Sequence, residues 1–183
     1  MGYITVKPSY FCSEEENPVM KNILKITLIA TTLLCLTACG KQDQKQIVYQ
    51  AQAIESSDEC HLCGMLITNF AGPKGELYRK DRGEKVHKFC STRDMFSFYL
   101  DPENKRNVTT IYVHDMSKMP WDAPNDGYFI DAKTAWFVVG SEKTGAMGKT
   151  LASFSKQQDA QAFAQEFGGE VLNFSQVDQA SLM

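Results

Sequence analysis

The stretch FCSTRDMFSF, residues 89–98, decides how this chain of 183 residues is read. Phe89 closes an apolar-alternating run that starts at Val86, a strand signal. Ser91-Thr92-Arg93-Asp94 then has the pattern of a capping box, in which a hydroxyl and a carboxylate satisfy free amide donors of a first helical turn. A strand therefore runs straight into a helix over 91–100. A second stretch, FSKQQDAQAF at 154–163, can be laid on the first residue for residue, with Asp159 on Asp94.

Working outward from each copy gives the same order twice. Before the first lie a strand over 65–70 and the turn Gly72-Pro73-Lys74-Gly75, and after it a strand over 108–113. Before the second lie a strand over 135–140, the glycine-flanked turn Gly145-Ala146-Met147-Gly148 and a strand over 151–154. Its helix, 159–167, carries Phe163 and Phe167 on one face. Gly168-Gly169 stops it, and a strand over 171–174 follows. The expected fold is α+β: two similar ββαβ units, 58–120 and 121–183, each too small for a full core and packed on the other.

The N-terminal third has a different character. Lys21 and Lys25 precede an apolar run of 13 residues, 26–38, the layout of an export signal and too short to span a bilayer as a helix. The run ends in Leu36-Thr37-Ala38-Cys39, which resembles the lipobox of bacterial lipoproteins. That resemblance implies a signal over 20–38, a lipidated Cys39 as first mature residue, and a flexible Gln-rich tether over 39–57. Glu14-Glu15-Glu16 places acid ahead of the basic segment. We therefore read Met20 as the genuine start and 1–19 as an extension, an unusually long basic region being the alternative. Gly40 fits lipoproteins sorted to the outer membrane, so a periplasm-facing, membrane-anchored protein is expected. The net charge is only −3 with both signs interspersed, which excludes a nucleic-acid surface.

Removing the signal leaves Cys60, Cys63 and Cys90, an odd number in an oxidising compartment. One of them must do something other than staple the fold. The segment DECHLCGMLI, 58–67, allows several readings. As a redox pair, Cys60 and Cys63 should open a helix, but a strand-like tail follows. A c-type haem needs histidine where Gly64 stands. Structural zinc would have to recruit Cys90, His87 and His61. If 63–67 is extended, Cys63 and Met65 face the same way, and thiolate plus thioether selects copper(I). Spacing alone leaves that reading open against a buried thiol beside a core methionine. Cys90 reads as a buried residue at a strand–helix junction, and His114, Met116 and Met119 as parts of a surface loop.

The set Cys63-Gly64-Met65, Gly72-Pro73-Lys74-Gly75, Phe89-Cys90-Ser91-Thr92-Arg93-Asp94, Val138-Val139-Gly140-Ser141, Gly145-Ala146-Met147-Gly148 and Phe163-Ala164-Gln165-Glu166-Phe167-Gly168-Gly169 resembles NosL, the nitrous oxide reductase accessory lipoprotein family. The resemblance runs from about 55 to 175. It implies a fold of two ββαβ units, similar to part of organomercurial lyase. It also implies a periplasmic copper(I) chaperone without catalytic turnover. The chaperone would supply the copper–sulfide centre of nitrous oxide reductase, together with a membrane ABC-type assembly complex. By position, Cys63, Met65 and Met147 match the family's metal motif, and His61 is the adjacent nitrogen donor. The competing expectations are a lipid-anchored thiol–disulfide oxidoreductase using Cys60 and Cys63, and a scaffold whose sulfurs are core.

Overall fold

In the computed structural model, residues 49–183 are described. The signal, Cys39 and the first part of the tether lie outside the described residues. The described residues fall within a single compact unit, Ile47–Met183.

The first sheet forms around β1 (Gly75–Arg79), which pairs antiparallel with β2 (Val86–Phe89) on one side and β3 (Val108–His114) on the other. Leu77 lies opposite both His87 and Ile111, so the apolar positions of three strands share a face. β4 (Phe129–Asp131) adds to the β3 edge, giving the order β2-β1-β3-β4. A second sheet has β5 (Trp136–Val139) at its centre, between β8 (Ala152–Phe154) and β9 (Glu170–Asn173). Between β5 and β8 lies a two-residue hairpin of β6 (Thr144–Gly145) and β7 (Gly148–Lys149). In both sheets the strand that comes first in sequence is flanked by the two that follow the turn and the helix. The boundary expected at 120/121 does not divide the sheets, because residues 129–131 pair with β3.

Helix α1 (Thr92–Tyr99) starts where 89–98 predicts it: the Ser91 side chain accepts from the Asp94 amide at 3.0 Å. Its Met95 and Phe96 are fully buried. Phe96 meets Phe137 of β5 edge to face at 5.0 Å, so one core joins both sheets. Met95 packs so tightly on β1 that a Cβ on Gly75 would lie 2.6 Å from its sulfur. A short helix, α2 (Pro102–Lys105), caps onto Asp101 and leads to β3. Helix α3 (Gln157–Phe167) packs Phe163 on Phe154 at 5.2 Å and on Trp121 at 5.6 Å, closing a second, smaller core with Val138 and Ala160.

The helix ends through Gly168 and Gly169, both left-handed. Gly169 has φ +102°, and a Cβ there would sit 2.5 Å from the Val139 carbonyl oxygen, a backbone atom that cannot move away. Gly169→Ala is expected to cost at least about 2 kcal/mol, read as a lowered urea midpoint, while Gly83→Ala, with open space around it, should cost less.

Two sequence expectations need correction. The strand expected over 65–70 is not one: only Leu66 makes a bridge, to Glu59, and Ile67–Asn69 is a single 3-10 turn. Apolar content misled here, because the segment folds back on itself instead of pairing with the sheet. The tether expected over 39–57 is held from Tyr49 onward. Tyr49 stacks on Tyr78 at 4.7 Å, and its carbonyl accepts from the Tyr112 hydroxyl at 2.6 Å. The Gln52 amide donates to Glu76 and the Ile54 amide to Asp126, so this strap crosses the first sheet before reaching the cysteines.

Candidate metal centre

Residues 60–65 form a closed turn. The Gly64 amide donates to the Cys60 carbonyl at 2.8 Å, and the Cys60 amide donates to the Met65 carbonyl at 2.8 Å. Gly64 takes φ +73°, which an L side chain resists, and this reverses the chain just after Cys63. The reversal removes the extended geometry in which Cys63 and Met65 would share a strand face. The His61 amide donates to the Lys88 carbonyl at 2.8 Å, pinning the turn to the edge strand β2. Lys88 is also paired with Asp58, which fixes the base of the loop.

That edge strand runs into Cys90 and then α1. The sulfurs of Cys60, Cys63 and Cys90 and a carboxylate oxygen of Asp94 all lie within 4.8 Å of one another. Cys63 Sγ is 3.4 Å from Cys90 Sγ, and Asp94 Oδ2 accepts from Cys90 Sγ at 3.2 Å and from Cys60 Sγ at 3.6 Å. Cys60 is 2% exposed and Cys90 fully buried, while Cys63 is half-buried and opens to solvent. All three are free thiols. The hydrogen bond from Cys90 draws the Cys60 thiol down to about 5 against the opposing cost of burial. The same contact with Cys60, then burial and Asp94, pushes Cys90 far up. Burial raises Cys63. The two buried thiols are tied to each other and to Asp94 through their protons, and Cys63 stands at the open edge of that network.

Of the residues singled out by sequence, Cys63 is in this group and His61 is not. The His61 ring lies against His87 at 4.1 Å and Phe98 at 5.0 Å. His87 is 4% exposed with neither ring nitrogen hydrogen-bonded, and burial holds it down to about 4. Both imidazoles, with Cys60, Cys63 and Lys85, line an open cleft of about 710 Å³. Met65 is partly buried against the main core. Met147 is 51% exposed at the tip between β6 and β7. Its carbonyl accepts from Arg93 at 2.8 Å, which holds the hairpin beside the first turn of α1. Thr92 binds Thr150 at 3.0 Å in the same place. The surface loop expected for His114, Met116 and Met119 is not one throughout: His114 ends β3 and is buried, Met116 is buried in the second core, and Met119 accepts the Asn125 amide through sulfur.

Sequence reasoning missed Cys90 and Asp94 as members of the cluster. The signal was present: the capping pattern fixes Cys90 one residue ahead of the N-cap and Asp94 within the first turn, so both point toward the same helix end. What 89–98 could not supply was the partner turn.

The NosL family model matches residues 51–182. The chain is 49% identical over 157 residues to the copper-binding lipoprotein NosL of Stutzerimonas stutzeri, covering 85% of this chain and 81% of that one. It is 32% identical over 167 residues to the copper-binding lipoprotein NosL of Achromobacter cycloclastes, covering 90% and 85%. The crystal structure of the copper chaperone NosL from Shewanella denitrificans superposes with a TM-score of 0.72 at 60% identity, over 73% of this chain and 99% of that one. With the family model spanning nearly all the described residues and relatives of this identity and coverage, the chain belongs to the NosL family.

Proposed function

We propose that this chain is a copper(I) carrier, not an enzyme, anchored to a membrane on the periplasmic side through Cys39. It would deliver copper for the copper–sulfide centre of nitrous oxide reductase by way of a membrane ABC-type assembly complex. The observation that carries the reading is the three-thiol cluster with one sulfur at the surface. Polarizable thiolates match a soft monovalent ion and discriminate against hard cations. Relatives named for copper binding support the cargo, and their description as lipoproteins supports the anchor. Among the described residues no helix is long and apolar enough to cross a membrane, so attachment falls to the segment before Tyr49.

In this reading Cys63 is the sulfur that meets incoming copper, and Cys60 and Cys90 complete a thiolate set. Met65 and Met147 contribute thioether from the rim, and His61 serves in the approach beside His87. A half-open site suits a carrier, because an acceptor's ligands must reach the ion before the donor's let go. Asp94 fixes the two buried sulfurs, so Asp94→Asn is expected to weaken copper(I) binding about 10-fold to 100-fold without unfolding the chain, measured by competition with a chelator. The reading as a whole is tested by anaerobic copper(I) titration of the protein and its Cys63→Ala variant. An unchanged affinity in that variant would sink it. The oxidoreductase alternative asks Cys60 to attack an external disulfide, yet Cys60 is 2% exposed.

A further inference from the structure

We propose that Cys63 and Cys90 form a reversible disulfide when the centre is empty, with Cys60 as the thiol left over, so that the cluster is also a redox-modification site. The geometry is already close. The two sulfurs stand 3.4 Å apart, and a bond of about 2.05 Å needs a shift of little more than an ångström. Cys63 sits on a turn whose reversal rests on Gly64, the most adaptable residue type, while Cys90 is fixed between β2 and α1. Exposure then sets the order of events. Only Cys63 is open to a reagent, since Cys60 and Cys90 are buried.

A low-molecular-weight disulfide, RSSR, reacts first with the Cys63 thiolate. The S–S bond of RSSR breaks, one half leaves as RS⁻, and Cys63 carries a mixed disulfide. Cys90 then attacks Cys63 Sγ, the second RS⁻ leaves, and the thiol protons of Cys63 and Cys90 end on the two departing thiolates. The protein loses two electrons and two protons, and RSSR is reduced to two RSH. Cys60, within 4.8 Å of both sulfurs, stays reduced, and the bond reopens by the reverse exchange: an external thiol RSH attacks Cys63 Sγ and frees Cys90, and a second RSH attacks the mixed disulfide, frees Cys63 and leaves as RSSR. The part of the proposal that concerns loading rests on the copper reading, because copper(I) held by Cys63 and Cys90 would block the reaction and the disulfide would block copper.

The test uses the full chain in detergent, incubated with oxidised glutathione, alkylated under denaturing conditions and digested without reductant. Expected is a linked pair of peptides, one containing Cys63 and the other Phe89–Arg93, with Cys60 alkylated. Cys60→Ser should form the same link. Cys90→Ser should stop with one glutathione on Cys63, which also shows that this variant remains folded and reactive. A Cys60–Cys63 or Cys60–Cys90 link in the wild type, or three alkylated thiols after incubation, overturns the proposal. A copper(I)-loaded sample should lose at least about nine-tenths of the link. If the apo chain forms it and copper(I) does not protect, the disulfide stands and the copper reading falls.

Discussion

Cys63→Ala is expected to weaken copper(I) binding by more than about 100-fold, beyond the 10-fold to 100-fold typical of residues that only orient a ligand. Cys63 is the one sulfur of the cluster that solvent and partner can reach, and the buried Cys60 and Cys90 lie against it. Without it, an ion would have to enter past a filled turn to reach two sulfurs that share one carboxylate. Met147→Ala should cost about 10-fold or less, because the hairpin tip is 51% exposed and its position depends on its backbone carbonyl rather than its side chain. His61→Ala should cost less still, its ring being turned toward His87 and Phe98. The ordering is the test: a competition assay in which His61→Ala outweighs Cys63→Ala would move the site toward His87, and one in which Met147→Ala does so would move it toward the hairpin tip. Thermal unfolding should change little in Cys63→Ala, since a half-buried thiol contributes little to the core.

The reliability of the sequence reading followed the range of the interactions involved. Helix α1 was legible because Ser91 caps Asp94 three residues away, and β2 because buried His87 and Phe89 alternate with half-buried neighbours. Phe163 and Phe167, four apart on α3, meet at 4.8 Å as their spacing requires. The segment 65–70 failed for the converse reason. Its apolar residues suit a strand, but Gly64 and two backbone hydrogen bonds closing on Cys60 and Met65 commit it to a turn first. The centre itself was half legible. Cys63 stood out through its neighbours, whereas Cys90 joins it across 27 residues and Asp94 joins Cys60 across 34. Those contacts depend on the register between β1 and β2 and on the His61–Lys88 hydrogen bond, which local sequence does not state. The strap at 49–54 was missed similarly: its Gln-rich composition reads as a tether, but tyrosines far along the chain hold it.

That strap leads to the last expected result, a contribution of Glu76 to stability that is lost as pH rises from about 5 to above 7 and is absent in Glu76→Gln. Glu76 is fully buried at the centre of β1. One carboxyl oxygen accepts from the Gln52 amide at 2.9 Å and the other, Oε1, has no partner among the described residues. Burial pushes its pKa up to about 7, with the Gln52 bond and Lys88 opposing and Asp126 and Asp58 reinforcing. The unfolded chain ionises this group near 4.5, whereas the folded chain keeps the proton until about 7. Between those values the folded state binds more protons than the unfolded one, so stability declines with rising pH and levels off above the folded value. The full difference is on the order of 3 kcal/mol at 1.36 kcal/mol per unit. Asp58, Asp115 and Asp126 are shifted down and work in the opposite sense at lower pH, and His61, His87 and His114, lowered by burial, oppose Glu76 within its own window. The difference in urea midpoint between the wild type and Glu76→Gln should therefore fall across pH 5 to 8, the histidines being common to both proteins. Parallel curves for the wild type and Glu76→Gln would mean that water or a shifted strap reaches the carboxylate. In that case Tyr49–Ile54 would be held by Tyr78 and Tyr112 alone.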